Sequence, residues 1–538
     1  MHKLAHVPSK YGIGYQLFHH MKKHKDLVAQ IDAQTEEEDT FDNLLQRCIR
    51  AAIELKARGI SSNDVICVSS YNQLNACVPY VAGLFIGTKI CALDWSMCYS
   101  DCKHLLSLVH PRIIFADAEK RNMYQELSVD TPLETQLVIF NAEDDDNNSF
   151  QSFLRESQEE DTFEPAKIES DRDTAIIMFS SGTTGLAKGI CLSHYAIIHQ
   201  AMNFGSFGFN TYRSLVFTSL YWISSVFIFV QSVLSGSARI LYKSFNSDEV
   251  WKAIDKFKVT MLFLASKQTI EMIKVGRPDR IDTTGLLDVI IGGSHLLPQY
   301  VLALRDLLPG TNVFLGYGLT EVAGSLTTFR TNLRKDLFLL HNKPKSCGRP
   351  VPGFYYKVVD LENDQVLGCN QIGELRVQGD CIFNGYYNMS STDAWDAENW
   401  LRTGDVVYYD EDFCFYIIDR VKEMLKYQSW HIAPAFLEAL LAEHPAVKSA
   451  VVIGVPHEED GEHPLGVVIL AENFENVTSK MLVDYVNAKV EDDRQKLRAG
   501  VVFVKELPYT PSGKVKRKLL KEQILEGLSG LKGEILEI

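Results

Sequence analysis

The sequence predicts an α/β protein with a large N-terminal domain of parallel-rich sheets wrapped by helices, followed by a small α+β C-terminal domain. Three observations carry this reading. Apolar segments of helix and strand length alternate from Thr40 to about Phe140, the pattern of an α/β sheet. The chain has 538 residues, 46% hydrophobic and 23% charged, an ordinary globular composition with room for about two to four domains. Near Asp419-Arg420 an alternating strand ends and a shorter, mixed unit begins.

The elements follow in order. FDNLLQRCIRAAIELKARGI has helical periodicity and is stopped by Gly59. Asn63–Ser69 reads as a buried strand, and VPYVAGLFIGTKI as helix into strand. Ala142 to Asp173 is polar, with acidic runs EDDDNN and QEED; it is expected to be an exposed loop leading to the strand Thr174–Phe179. Between Arg213 and Arg239 lie 25 uncharged residues, long enough to cross a bilayer. Seven serines, one threonine and one glutamine among them favour a buried helix and strand instead. FCFYIID alternates as a strand, and a helix is expected to begin about Pro434. The segments VVIGV, GVVILA, SKMLVDYVNAKV and GVVFVKEL complete an α+β unit. The expected domains are 1–419 and 420–538.

Composition excludes several classes. Lys+Arg is 54 and Asp+Glu 69, a net charge of −15, which argues against a nucleic-acid partner but not against a nucleotide pocket. The 11 cysteines contain no CxxC pair, and reduced thiols in a cytosolic-type compartment fit them. Cys98 and Cys102 could share a helix face, with ordinary packing the expectation. The N-terminus lacks the apolar core of a secretory signal, and the C-terminal Glu-Ile-Leu-Glu-Ile is not a Ser-Lys-Leu peroxisomal address. A cytoplasmic protein with no transmembrane segment is expected.

The strongest local signal is Ser180-Ser181-Gly182-Thr183-Thr184-Gly185-Leu186-Ala187-Lys188-Gly189, set between the apolar strands AIIMF and ICL. Glycines let successive N–H groups turn toward an anion. The hydroxyls add donors, and Lys188 supplies a point charge for phosphate. It is not a Walker A loop, because Ala187 precedes the lysine and Gly189 follows it. Further on, Tyr317 stands between Gly316 and Gly318 after the strand NVFL, so a flat ring has clear space for stacking on a base. Thr320 and Glu321 offer hard oxygen ligands for Mg²⁺ beside phosphate. Asp405, in a Thr-Gly-Asp turn, can accept two ribose hydroxyls.

The glycine-hydroxyl loop resembles the phosphate-binding signature of the adenylate-forming (ANL) superfamily, which includes luciferases and 4-coumarate-CoA-ligase-like acyl-CoA synthetases. Gly316-Tyr317-Gly318-Leu319-Thr320-Glu321, Gly373-Glu374-Leu375, Trp400-Leu401-Arg402-Thr403-Gly404-Asp405, Asp419-Arg420 and Pro511-Ser512-Gly513-Lys514 follow in that family's order. The resemblance spans about Thr40 to Arg517. It implies a mobile C-terminal lid hinged near Arg420–Lys422, Arg420 on the ribose and Gly293 in an adenine-edge loop. It also implies that Lys514 swings onto the acid carboxylate and α-phosphate. ATP, Mg²⁺ and coenzyme A are the implied cofactors, with a small-molecule carboxylic acid as substrate. Cations at Lys188 and Lys514 would offset the repulsion between carboxylate and triphosphate.

The resemblance further implies a thiolation face at Lys426, Ser429 and Trp430. Ser429 stands where the family usually has glycine, which puts thiolation geometry in question. The acid would lie near Tyr221, Trp222, Ser225, Gly316 and Gly324. Tyr221-Trp222 replaces the histidine pair of luciferases, and Ala187 replaces the usual proline. The expected activity is AMP-forming ligation of a medium- or long-chain fatty acid to coenzyme A. A luciferase-like monooxygenase, a nucleotide-binding homologue without activity and a carrier-thiol loader are the alternatives.

Overall fold

Two sheets built mainly from parallel strands position the candidate site. The computed structural model describes residues 10–130, 135–142, 148–179, 187–294, 296–428, 430–474, 476–490, 492–509 and 515–529. Among these, 356–377 and 402–529 form one compact unit, and the rest form a larger one.

The larger unit contains a six-stranded sheet ordered Gln136–Phe140, Ile113–Asp117, Val65–Ser69, Lys89–Leu93, Thr174–Phe179 and Gly189–Ser193. Only the last pair is antiparallel. Val65–Ser69 is buried along its whole length, as a parallel strand covered on both faces must be. A seven-stranded sheet runs Asn312–Leu315, Asp288–Gly292, Met261–Ala265, Arg213–Val216, Ala238–Leu241, Val28–Asp32 and Glu38–Thr40. Trp251, Leu262, Val289 and Ile291 lie in its dry core.

The helix expected from Phe41 spans Phe41–Ala57. Thr40 accepts the Asn43 N–H at 3.2 Å, an N-cap contact worth about 1 kcal/mol. Leu44, Leu45, Cys48, Ala51, Ala52 and Leu55 form its buried stripe, and Gly59 takes φ +77° just beyond it. The uncharged stretch folds as the strand Arg213–Val216 and the helix Ile223–Ser235, closed by Gly236 at φ +72°. Serine hydroxyls bond within that helix: buried Ser232 to the Phe229 carbonyl at 2.7 Å and exposed Ser235 to that of Gln231 at 2.9 Å. Such back-bonding lets a helix bury hydroxyls away from water. No described helix is long and apolar enough to cross a membrane.

In the segment 142–173, residues 143–147 lie outside the described residues, and 148–173 departs from the fully exposed loop expected. It contains the 3₁₀ turns Phe150–Leu154 and Glu160–Thr162, and Phe150, Phe153 and Phe163 are buried. Arg50 pairs with Glu160 at 2.8 Å, and Arg58 stacks on Phe153 at 4.2 Å. These aromatic anchors and ion pairs hold 150–163 on the helix Phe41–Ala57.

A four-stranded sheet orders Phe354–Val359, Gly373–Gly379, Leu401–Tyr409 and Phe415–Arg420. A five-stranded sheet follows, its longest hairpin pairing Val447–His457 with Gly461–Leu470. The expected helix begins at Pro434 and ends at Ala442. Asp419 accepts its Ala435 N–H at 3.0 Å, and Leu437 and Leu441 pack on Val452, Val468 and Leu482. All eleven cysteines are free thiols, nine of them buried. Cys102 is buried beside the Tyr124 hydroxyl, whereas Cys98 is exposed near Ser100 and Asp101.

Candidate active site

In the larger unit, two strand ends bring backbone together where a base could lie. The Gly316 N–H donates to the Ile291 carbonyl at 2.9 Å. A methyl group on Gly292 would sit 3.4 Å from the Gly316 carbonyl oxygen. The next residue, Gly293, is exposed at φ +89° with open space around it. Half-buried Tyr317 opens the strand Tyr317–Leu319, which pairs antiparallel with Gly324–Thr328. Between them Thr320–Val322 makes a 3₁₀ turn and Ala323 takes φ +58°, placing Thr320 and Glu321 at the tip of a tight hairpin.

Sequence reasoning missed what holds that tip. Gln200, 2% exposed on the helix His194–Ser206, donates to the Val322 carbonyl at 2.8 Å and the Ser325 carbonyl at 3.1 Å. The Glu321 carbonyl accepts the Phe383 N–H at 2.7 Å. Gln200→Leu is expected to cost about 1–3 kcal/mol, because two carbonyls lose a buried donor; a shift in urea midpoint reads this directly. Gln200→Glu should cost more, since a carboxylate accepts and cannot donate.

Tyr386 is a second missed residue. Its segment is bridged to the strand Gly189–Ser193 at Ile190. The Lys188 ammonium lies 4.4 Å from its ring centroid. Burial pushes the Tyr386 hydroxyl up to about 12, with the Glu321 carboxylate a further cause. Lys188 therefore lies over one half-buried ring, in a segment whose Phe383 N–H holds the Glu321 backbone, so a cation and an anion suited to a triphosphate and its divalent ion are carried by neighbouring elements. The Ala187 carbonyl accepts from His104 Nε2 at 2.9 Å, fixing the chain just before Lys188. Ser180, Ser181, Gly182, Thr183, Thr184, Gly185, Ser429 and Lys514 lie outside the described residues.

The proposed acid pocket is aromatic. Buried Tyr221 stacks on Phe179 and meets Trp222 edge-on at 5.1 Å. Trp222 Nε1 donates to Asp94 at 3.2 Å, and Ser219 donates to the same carboxylate oxygen at 2.8 Å. Asp94, also missed, thus sets the indole angle. The Ser225 hydroxyl is used inside its own turn, donating to the Thr218 carbonyl at 2.7 Å. Gly324 faces Gln200 and Phe227, leaving a methyl group only ordinary contact room.

In the smaller unit, Asp405 does not sit in a turn as the Thr-Gly-Asp sequence suggested. It is 2% exposed within the strand Leu401–Tyr409. Gly404 at φ +68° absorbs the local bend, while Thr403 accepts the Asp405 N–H at 3.1 Å and donates to the Leu375 carbonyl at 2.6 Å. Arg420, opposite in register, pairs with Asp405 at 2.6 Å. Lys426 and Trp430 are exposed on the hairpin joining Leu425–Tyr427 to Trp430–Ile432. Trp430 carries Arg494 over its ring at 3.6 Å.

Glycine-bounded Tyr317, the Thr320-Glu321 tip and Lys188, all set at strand ends, define an enzyme of the adenylate-forming class. Family comparison agrees: the model of AMP-binding enzymes matches residues 17–387, and that of the AMP-binding enzyme C-terminal domain matches 437–514. The chain belongs to the AMP-binding enzyme family, within the ANL superfamily.

It is 30% identical to luciferin 4-monooxygenase of Photinus pyralis, covering 97% of this chain and 96% of that one. It is 29% identical to a probable CoA ligase of Humulus lupulus, covering 95% and 93%. Among solved structures, the luciferase-like enzyme of the nonluminescent mealworm Zophobas morio matches with TM-score 0.74 and 33% identity, over 79% of this chain and 98% of that one. ATP-bound MatB of Rhodopseudomonas palustris shares the fold with TM-score 0.84 at 21% identity, over 95% and 99%.

Proposed function

We propose that this chain is an AMP-forming acyl-CoA ligase for a medium- or long-chain fatty acid. The observation that carries the reading is Lys188 over the Tyr386 ring, with Phe383 of the same segment donating to the Glu321 carbonyl on the hairpin that bears Tyr317. Tyr317, Gly318 and Gly293 would hold adenine, while Asp405 and Arg420 would hold ribose. Lys188, with Ser180–Gly185, would hold the phosphates. The hard oxygens of Thr320 and Glu321 suit Mg²⁺, which would neutralise the departing pyrophosphate.

The acid carboxylate attacks the α-phosphorus, the bond to the bridging oxygen breaks, and pyrophosphate leaves with that electron pair. Lys514 would offset charge on the phosphoryl oxygens. A hinge near Arg420–Lys422 would then exchange Lys514 for the Lys426–Ser429–Trp430 face. There the coenzyme A thiolate would take the acyl group and release AMP. Tyr221-Trp222, braced by Asp94, supports an apolar acid. Fatty acids with ATP and Mg²⁺ should drive ATP–pyrophosphate exchange and consume coenzyme A; no exchange across a graded acid series overturns the reading.

The 30% identity to a luciferin 4-monooxygenase favours a second reading, oxygenation of an adenylate. Light from luciferin, ATP and Mg²⁺ would establish it.

A further inference from the structure

The smaller unit carries a cluster that adenylation does not use. The sequence His457-Glu458-Glu459-Asp460-Gly461-Glu462-His463 places four carboxylates and two imidazoles in seven residues. It forms the tip of the hairpin Val447–His457/Gly461–Leu470, with His457 opposite Gly461 and Val455 opposite His463. Gly461 takes φ +85°, and a methyl group there would lie 2.7 Å from the Lys426 carbonyl oxygen. That conformation closes a three-residue turn, the bulged hairpin form that needs a left-handed residue. The tip is thus fixed by backbone, not by loose side chains.

We propose that His457, Asp460 and His463 form a binding site for a divalent transition ion of the zinc class. Their ligating atoms all lie within 4.8 Å of one another. Asp460 Oδ2 is 2.8 Å from His463 Nε2 and 3.6 Å from His457 Nδ1. The two rings stack at 3.9 Å with 18° between planes. Small rotations bring such donors to bonds of about 2.0–2.2 Å.

The carboxylate is also oriented from behind. Gln428 Nε2 donates to Asp460 Oδ1, leaving Oδ2 toward the imidazoles. The Gln428 N–H donates to the Asp460 carbonyl at 2.8 Å. Such outer contacts hold a ligand in place. His457 Nδ1 accepts the Asp460 N–H at 3.3 Å, so its lone pair already points inward, and the ion would replace that weak bond. Arg498, the cation stacked on Tyr427 at 4.8 Å, is engaged by Asp493 instead of Asp460.

Two nitrogen donors and one oxygen select Zn²⁺, Co²⁺ or Ni²⁺ over Mg²⁺, which prefers oxygen alone. At 41% side-chain exposure, His457 leaves a side open for water to complete the coordination. Because Gln428 stands between Lys426 and Trp430, occupancy would stiffen that hairpin turn.

Titrating the full chain with Co²⁺ in excess Mg²⁺, followed by visible absorption, tests the site. One equivalent should bind with a nitrogen/oxygen spectrum, and Zn²⁺ should displace it. His457→Ala/His463→Ala should lose that equivalent while keeping the far-UV circular dichroism of the parent. Gln428→Asn, which tolerates the left-handed φ of +46° at this position but has a shorter reach, should weaken binding about 10- to 100-fold. An unchanged titration in the double variant overturns the proposal. So does a spectrum dominated by thiolate charge transfer that Cys98→Ser abolishes and the histidine variants leave intact.

Discussion

Lys514→Ala is expected to slow acyl-adenylate formation by about 10²–10³-fold, the usual cost of removing one preorganised contact to a developing oxyanion. The same variant, supplied with preformed acyl-adenylate and coenzyme A, should form thioester at nearly the parental rate. The neighbouring residues explain why the loss should not come from unfolding. Tyr509 bridges to Val515, and the Lys516 N–H donates to the Pro508 carbonyl at 2.8 Å, so the chain is tied on both sides of 510–514. Arg517 is bidentate to Glu438 at 2.6 and 2.9 Å, and meets Glu423 at 3.3 Å. Those carboxylates hold its guanidinium protonated despite burial. With these flanking residues held, removing the Lys514 side chain should leave the unit folded. Lys514→Arg should recover only part of the rate, since a planar fork does not reproduce a compact point charge. Equal loss in both half-reactions would assign Lys514 a structural role.

Gly318→Val is expected to disable the enzyme through backbone geometry alone. A Cβ on Gly318 would overlap the Gly324 carbonyl oxygen, and would lie 2.8 Å from its carbon and 3.0 Å from Ser325 Cα. All three are backbone atoms of the paired strand, so the hairpin must open. Overpacking of this kind costs about 1–3 kcal/mol. The same hairpin carries Tyr317 and the Thr320-Glu321 tip, and a misplacement of about 1 Å can cost about 10²-fold in rate. Exchange activity should therefore fall much further than thermal stability. Gly310→Ala is the control: Gly310 also has a positive φ, +87°, but nothing within 4 Å, so that change should reduce stability modestly and leave kcat intact. If Gly318→Val retained parental kcat and KM, the hairpin would not be what positions the nucleotide.

The sequence showed where local rules decide the outcome. A helix ending before Gly59, the strand Thr174–Phe179 and a helix starting at Pro434 follow from periodicity and from what glycine and proline permit. The glycine-bounded tyrosine and the acidic pair after it were legible because they are contiguous. Gln200 was not, since its two acceptors lie more than a hundred residues away and no spacing rule links a helix glutamine to distant carbonyls. Asp94 was hidden for the same reason, its meaning resting on Trp222 across the fold. The anchoring of 148–173 was missed because net polarity outweighed three well-spaced phenylalanines. Asp405 was assigned to a turn because Thr-Gly-Asp is common in turns. One left-handed glycine also lets a strand bend and continue.

The Asp405–Arg420 pair has an energetic consequence. With Arg420 at 2.6 Å, the Asp405 carboxylate is already satisfied before any sugar arrives. If Asp405 and Arg420 hold ribose as proposed, nucleoside capture would be an exchange of partners, diol for guanidinium or diol alongside it. Its net affinity is a difference between two sets of good bonds, so weak holding of AMP would coexist with strong individual contacts and favour turnover over retention.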